Sequence, residues 1–174
     1  VAWGIKTLWL FDYLGYWAAP PLFFSRNKGE NSVSFFAPRV HKFYDFTLNS
    51  EDSTMFKLEN EYSGFENANQ LVRVNDTLFF STMANSTITP NRYGIFDKYG
   101  ELLYSDISYP KNNSEAIFDN LKSIAFQSSL AVNPDDGYVV SACKFVGYME
   151  IMYVGLSGIN KISELQTSDG SFDD

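Results

Sequence analysis

Hydrophobic and polar positions alternate with a period of two along most of this chain, in short runs punctuated by turn residues. The clearest run is Arg92-Tyr93-Gly94-Ile95-Phe96-Asp97-Lys98-Tyr99-Gly100-Glu101-Leu102-Leu103-Tyr104. Tyr93 and Ile95, then Leu102 and Tyr104 across a turn, fit a pleated strand with one buried face. Asp97 can accept hydrogen bonds from backbone N–H groups two residues on and so open the turn. Gly100 can take a positive φ without steric cost and so close it. A four-residue loop with Gly at its left-handed position is a common hairpin closure. The stretch predicts one β-hairpin.

Its pattern recurs. Leu8-Trp9-Leu10-Phe11-Asp12-Tyr13-Leu14-Gly15 shares the Phe-Asp-x-x-Gly ending, with Asp12 and Gly15 as turn residues. His41-Lys42-Phe43-Tyr44-Asp45-Phe46 keeps aromatic-Asp, and Glu150–Gly158 keeps the strand and a Gly. The spacings, roughly 30 to 60 residues, are those of four-stranded propeller blades with variable loops. Read in order, the chain predicts a strand at Lys6–Asp12. Pro20-Pro21 interrupts the run that follows, so Leu22-Phe23-Phe24 is an edge strand or a new segment. Ser32–Ala37 and Val40–Leu48 form a pair, with a short outer strand at Met55–Leu58 and a polar loop over Glu59–Asn69. A unit from Gln70 to Ser108 contains Leu71–Val74, a turn at Asn75-Asp76, Thr77–Thr82 and the hairpin. A polar connection with a short helix at Ser114–Ile124 leads to a second unit. That unit holds Ser129–Val132, a turn through Asp135 and Gly137, Tyr138–Phe145, Met149–Val154 and Ile159–Leu165. The expected fold is all-β: four-stranded antiparallel blades of a partial β-propeller, three to four in number, in a single domain over 1–174, with an acidic tail from about 167. A β-sandwich is the alternative.

Composition narrows the functional classes. Of the 174 residues, 45% are hydrophobic and 17% aromatic, with 16 Phe and 11 Tyr, a load that favours strands. The net charge of −8 repels phosphate backbones and disfavours nucleic-acid binding. One Cys and one His allow no intrachain disulfide and no Cys/His zinc cluster. No metal or other cofactor is expected. No run of eighteen apolar residues exists, so no transmembrane helix is expected. The opening Val1-Ala2-Trp3-Gly4 reads as a mature or truncated chain without its leader. Three glycosylation sequons, at Asn75, Asn85 and Asn112, are expected by chance in a chain this rich in Asn and Ser.

Candidate chemistry is sparse. Asp12, Asp45 and Asp97 occupy similar repeat positions; two of them could pair as glycosidase acid and base, but turn initiation accounts for the repetition. His41 and Cys143 could form a base–nucleophile dyad; a strand-surface His and a buried small Cys explain them equally. Asn133-Pro134-Asp135-Asp136-Gly137 lacks the spacing and distal Glu of a calcium loop. No catalytic residue is assigned. Trp3, Trp9, Tyr13, Tyr16 and Trp17 form the densest aromatic cluster, which as propeller core would be buried and as a platform would bind a sugar ring or a partner.

Two stretches, Asn91-Arg92-Tyr93-Gly94-Ile95-Phe96-Asp97-Lys98-Tyr99-Gly100 and Phe126-Gln127-Ser128-Ser129-Leu130-Ala131-Val132-Asn133-Pro134-Asp135, resemble the TolB-like six-bladed β-propeller proteins of Bacteroidetes. That family shows an Arg-Tyr-x-Ile-Phe-Asp-x-x-Gly hairpin and a downstream Gln-x-x-Leu-x-x-x-Pro-Asp-Gly turn; here Asp136 stands between Asp135 and Gly137. The similarity covers residues 70 to 165. A six-bladed ring needs about 250 residues at ~40 per blade, so this chain would supply part of one. The resemblance implies a non-enzymatic binding or accessory protein of the bacterial cell envelope, periplasmic or at the cell surface. It would be a surface lipoprotein accompanying an outer-membrane importer of glycans or peptides, with any lipid anchor outside the given chain. Its partner would be a protein or a glycan or peptide ligand. The alternative is a propeller enzyme that cleaves glycans with carboxylates.

Overall fold

The computed structural model describes residues 23–26, 32–48, 56–84, 90–110, 119–133 and 135–166. The strand expected at Lys6–Asp12, its turn at Gly15 and the tail from Thr167 lie outside these residues. The described residues form three four-stranded antiparallel sheets and one short helix. The first sheet holds β1 (Phe23–Arg26), β2 (Ser32–Ala37), β3 (Lys42–Leu48) and β4 (Phe56–Ser63). The second holds β5 (Ala68–Arg73), β6 (Leu78–Met83), β7 (Asn91–Asp97) and β8 (Leu102–Ser108). The helix α1 (Asp119–Ala125) follows. The third sheet holds β9 (Ser128–Asn133), β10 (Tyr138–Cys143), β11 (Tyr148–Gly155) and β12 (Gly158–Gln166).

Each sheet is an uncrossed meander, and the sheets stack in chain order: β5 lies against β1 and β2 on one side and against β9 on the other. That arrangement is blade-like, and the fold is propeller-like rather than a two-sheet sandwich. The middle sheet explains the period of two. Its alternate side chains serve two different cores. Leu71, Phe79, Met83 and Phe96 point toward the first sheet and pack on Phe36, Phe43 and Phe65. Val72, Leu78, Phe80, Tyr93 and Ile95 point toward the third sheet and pack on Val139, Met152 and Val154. Burying one such Phe or Leu contributes about 1.5–3 kcal/mol.

A bulge recurs at one place in every sheet. β3 meets β4 through Asp45↔Asn60 and Phe46↔Leu58, β7 meets β8 through Ile95↔Tyr104 and Phe96↔Leu102, and β11 meets β12 through Ile151↔Ser163 and Met152↔Lys161. One outer-strand residue, Glu59, Leu103 or Ile162, is left over each time. The bulges make Asp45, Ile95 and Ile151 equivalent, with Thr47 and Tyr153 the counterparts of Asp97. The expected alignment of Asp45 with Asp97 is therefore off by two residues.

Other expectations change as well. Glu59–Asn69 is not a loop: β4 runs on through Ser63, and β5 begins at Ala68. Outermost strands face solvent, so β4 needs no apolar alternation to persist. For the same reason Leu102 and Tyr104 are exposed rather than buried opposite Tyr93 and Ile95. His41 sits in the β2–β3 turn with φ 55°, not in a strand. The helix is shorter and later than Ser114–Ile124 within the described residues.

Candidate functional site

The most chemically dense place in the described structure is the interface between the second and third sheets. Arg92, at the start of β7, is 1% exposed, as is Glu150 in the middle of β11. Arg92 Nη1 lies 2.6 Å from Glu150 Oε2. Arg92 Nη2 donates to Ser128 Oγ at 2.9 Å and to Cys143 Sγ at 2.8 Å. The guanidinium also lies over the rings of Tyr93, Tyr148 and Phe126, with centroids 4.9, 5.2 and 5.6 Å away. A planar, weakly hydrated cation is suited to such an aromatic cage, where a lysine ammonium would stay under-satisfied.

Glu150 is saturated in turn. Its Oε2 also accepts from Tyr93 OH, and its Oε1 lies 3.0 Å from Tyr148 OH. Tyr93 has one phenolic hydrogen; it goes to the carboxylate, and Ser141 Oγ at 2.8 Å returns a hydrogen bond to the Tyr93 oxygen. Tyr148 OH lies 2.8 Å from Glu164 Oε2, which is paired at 2.6 Å with Lys161 on the surface. A chain of polar contacts thus runs from solvent at Lys161 to the buried Arg92. The two carboxylates bridged by Tyr148 fall inside the ~5–10 Å window that glycoside cleavage uses. Glu150 is sealed from solvent, however, and both of its oxygens are engaged.

Burial pushes the Tyr93 and Tyr148 phenols far above the usual tyrosine range, and the adjacent carboxylates push the same way. Burial alone takes Tyr109 up to about 12, against the opposing pull of Arg92. It also raises the Cys143 thiol, even with Arg92 and Ser128 beside it. Glu164 is lowered by its hydrogen bonds from Lys161 and Tyr148.

The first and second sheets are joined by a smaller version of this cluster. Asp45 Oδ1 accepts from Ser34 at 2.6 Å and Oδ2 pairs with Arg73 Nη1 at 2.8 Å. Arg73 also pairs with Asp76 at 2.6 Å. Asp45 is therefore an inter-sheet anchor and opens no turn. Asp97 does hold a turn: its Oδ1 accepts from the backbone N–H of Tyr99 at 2.8 Å and of Glu101 at 2.9 Å. Gly100 adopts φ 82°, and its backbone presses on that of Gly64. In the β9–β10 turn, Gly137 adopts φ 72° and Asn133 Nδ2 donates to Asp136 at 2.6 Å. The backbone N–H of Asp135 lies 3.3 Å from Asn133 Oδ1. His41 and Cys143 are not brought together; they belong to the first and third sheets, and Cys143 contacts Arg92, Ser128 and the Phe126 carbonyl. Trp3, Trp9, Asp12, Tyr13, Gly15, Tyr16 and Trp17 lie outside the described residues.

Among the described residues no group of three or more His, Cys, Asp or Glu is arranged to hold a metal ion. No described helix is long and apolar enough to cross a membrane. Sequence reasoning missed Arg92 and Glu150. The available signal was a lone charge inside an apolar strand, as in Tyr148-Met149-Glu150-Ile151-Met152.

No protein-family model matches the chain, and no curated protein matches it significantly. Among solved structures it is similar to a candidate 6-phosphogluconolactonase from Bacteroides fragilis, with 11% identity, 87% of this chain and 41% of that one covered, and a TM-score of 0.44. It is also similar to a protein from Lactobacillus plantarum, with 10% identity, 88% and 45% covered, and a TM-score of 0.40. The chain spans less than half the length of either. The propeller-like fold rests on this chain's own strand order and stacking.

Proposed function

We propose that this chain is a non-enzymatic binding protein of the bacterial cell envelope, of the TolB-like propeller kind. On this reading it presents aromatic side chains from its blade turns to a protein partner or to a glycan or peptide ligand. The observation that carries the reading is a contrast. The buried acids are consumed by internal partners, while large apolar groups stand exposed along one rim. Tyr99 in the β7–β8 turn is 75% exposed and Leu156 in the β11–β12 turn 74%. Tyr138 and Tyr153 flank the neighbouring turns as an edge-to-face pair, with ring centroids 5.8 Å apart. Amphipathic rings held on rigid turns bind sugar faces and partner surfaces with little loss of conformational entropy.

The test is binding of the purified chain to glycan and peptide arrays and to solubilised envelope fractions. Capture is expected, and Tyr99→Ser with Tyr138→Ser should weaken it by at least ~10-fold. Turnover of a glycan, abolished by Glu164→Gln, would replace this reading with the carboxylate-dependent enzyme. Recovery of the native protein with cytosolic rather than envelope fractions would overturn the placement.

A further inference from the structure

We propose that the outer face of the third sheet is a self-association surface that seats the same face of a second copy of this chain. Strand alternation and the β9–β10–β11 register put Ala131, Val140, Ala142, Met149, Ile151 and Tyr153 on the side turned away from the second sheet. All six are partly or fully exposed, and among the described residues no core cluster forms over them. Their counterparts one sheet earlier do the opposite. Val72, Phe80, Tyr93 and Ile95 occupy the equivalent positions of the second sheet and are buried at its interface with the third. The stack therefore ends on a face of the kind that, one step back, is an interior.

What covers that face is another sheet. It is flat, and its strand positions on β9, β10 and β11 carry no charged side chain in a chain of which 20% is charged. A sheet packs on a sheet about 10 Å away, with small residues such as Ala131 and Ala142 receiving large ones such as Met149 and Ile151. The first sheet cannot supply the mate head-to-tail, because the side chains on its own outer face, Phe35, Tyr44 and Phe46, are already buried. The same face of a second copy remains. Two uncharged faces related by a two-fold axis meet without like-charge contact and close the assembly as a dimer. This pairing stands independently of the ligand-binding proposal, since it uses the sheet face and not the turn rim.

Sedimentation analysis of the whole chain over a concentration series decides it. The expected species has twice the chain mass of 19.8 kDa at high concentration. Ile151→Lys should weaken association at least ~30-fold with an unchanged near-ultraviolet circular dichroism spectrum. Ala131→Lys, at an exposed position on the edge strand β9, should do the same and decides the matter should Ile151→Lys unfold. A chain that stays monomeric at every concentration overturns the proposal. So does a dimer that Ala131→Lys leaves intact, or growth into larger open assemblies.

Discussion

Arg92 and Glu150 show how a single buried pair can set the register between two sheets. The pair is satisfied on nearly every side, so removing one partner costs more than the pair itself contributes. Arg92→Met should lower unfolding free energy in urea by about 3–5 kcal/mol, because it strands a buried carboxylate. Arg92→Met combined with Glu150→Met should recover much of that loss, since neither charge is then left alone. Equal losses in the single and double variants would show that the two residues are not coupled. The same cluster sets the alkaline limit. Tyr93, Tyr109, Tyr148 and Cys143 all have folded-state pKa values raised above their unfolded ones. The folded chain then holds protons that the unfolded chain releases, so the stability these groups confer is whole below the unfolded values. It falls as pH rises above about 9, the thiol's ordinary value, and further above 10, the phenols'. Tyrosinate absorbance should show these three phenols ionising together with unfolding rather than before it. Early, independent titration of all eleven tyrosines would contradict the burial of the cluster.

At the scale of the strand and turn, the Asp97–Gly100 hairpin depends on a backbone that only glycine permits. A Cβ on Gly100 would sit 2.5 Å from the Ser63 carbonyl oxygen, at a φ of 82°. Gly100→Ala should cost at least ~2 kcal/mol, combining left-handed strain with displacement of the Gly64 turn. Gly155→Ala, which meets nothing nearer than the Tyr153 ring at 3.3 Å, should stay within ~1 kcal/mol of the parent. Equal effects in thermal melts would contradict the close approach of the two turns. These elements also mark what the sequence could reveal. Period-two runs closed by Asn, Asp and Gly were legible, because turn chemistry and pleat are local. The bulge was not: an extra residue at Glu59, Leu103 or Ile162 leaves no mark in composition, yet it decides which residues are equivalent. The polar strand at Phe56–Ser63 was hidden because an outermost strand is held by backbone pairing and not by an apolar face. The Arg92–Glu150 pair was hidden because its members are 58 residues apart and meet only when two sheets stack.

Over the whole molecule, the arrangement is a series of sheets in which the middle member is buried on both faces. β6 is buried along its entire length and β7 through its interior, whereas β8 and β12 face solvent over most of theirs. Local openings should therefore release the outer strands while the middle ones wait for global unfolding. Native-state amide hydrogen exchange, resolved by residue, reads this directly. The account predicts that amides of Leu78–Met83 and Arg92–Phe96 exchange slowest, at the rate set by global unfolding, and that those of Asn160–Gln166 exchange at least ~100-fold faster. Uniform protection across the three sheets, or slowest exchange in β12, would contradict a stack with the second sheet at its centre.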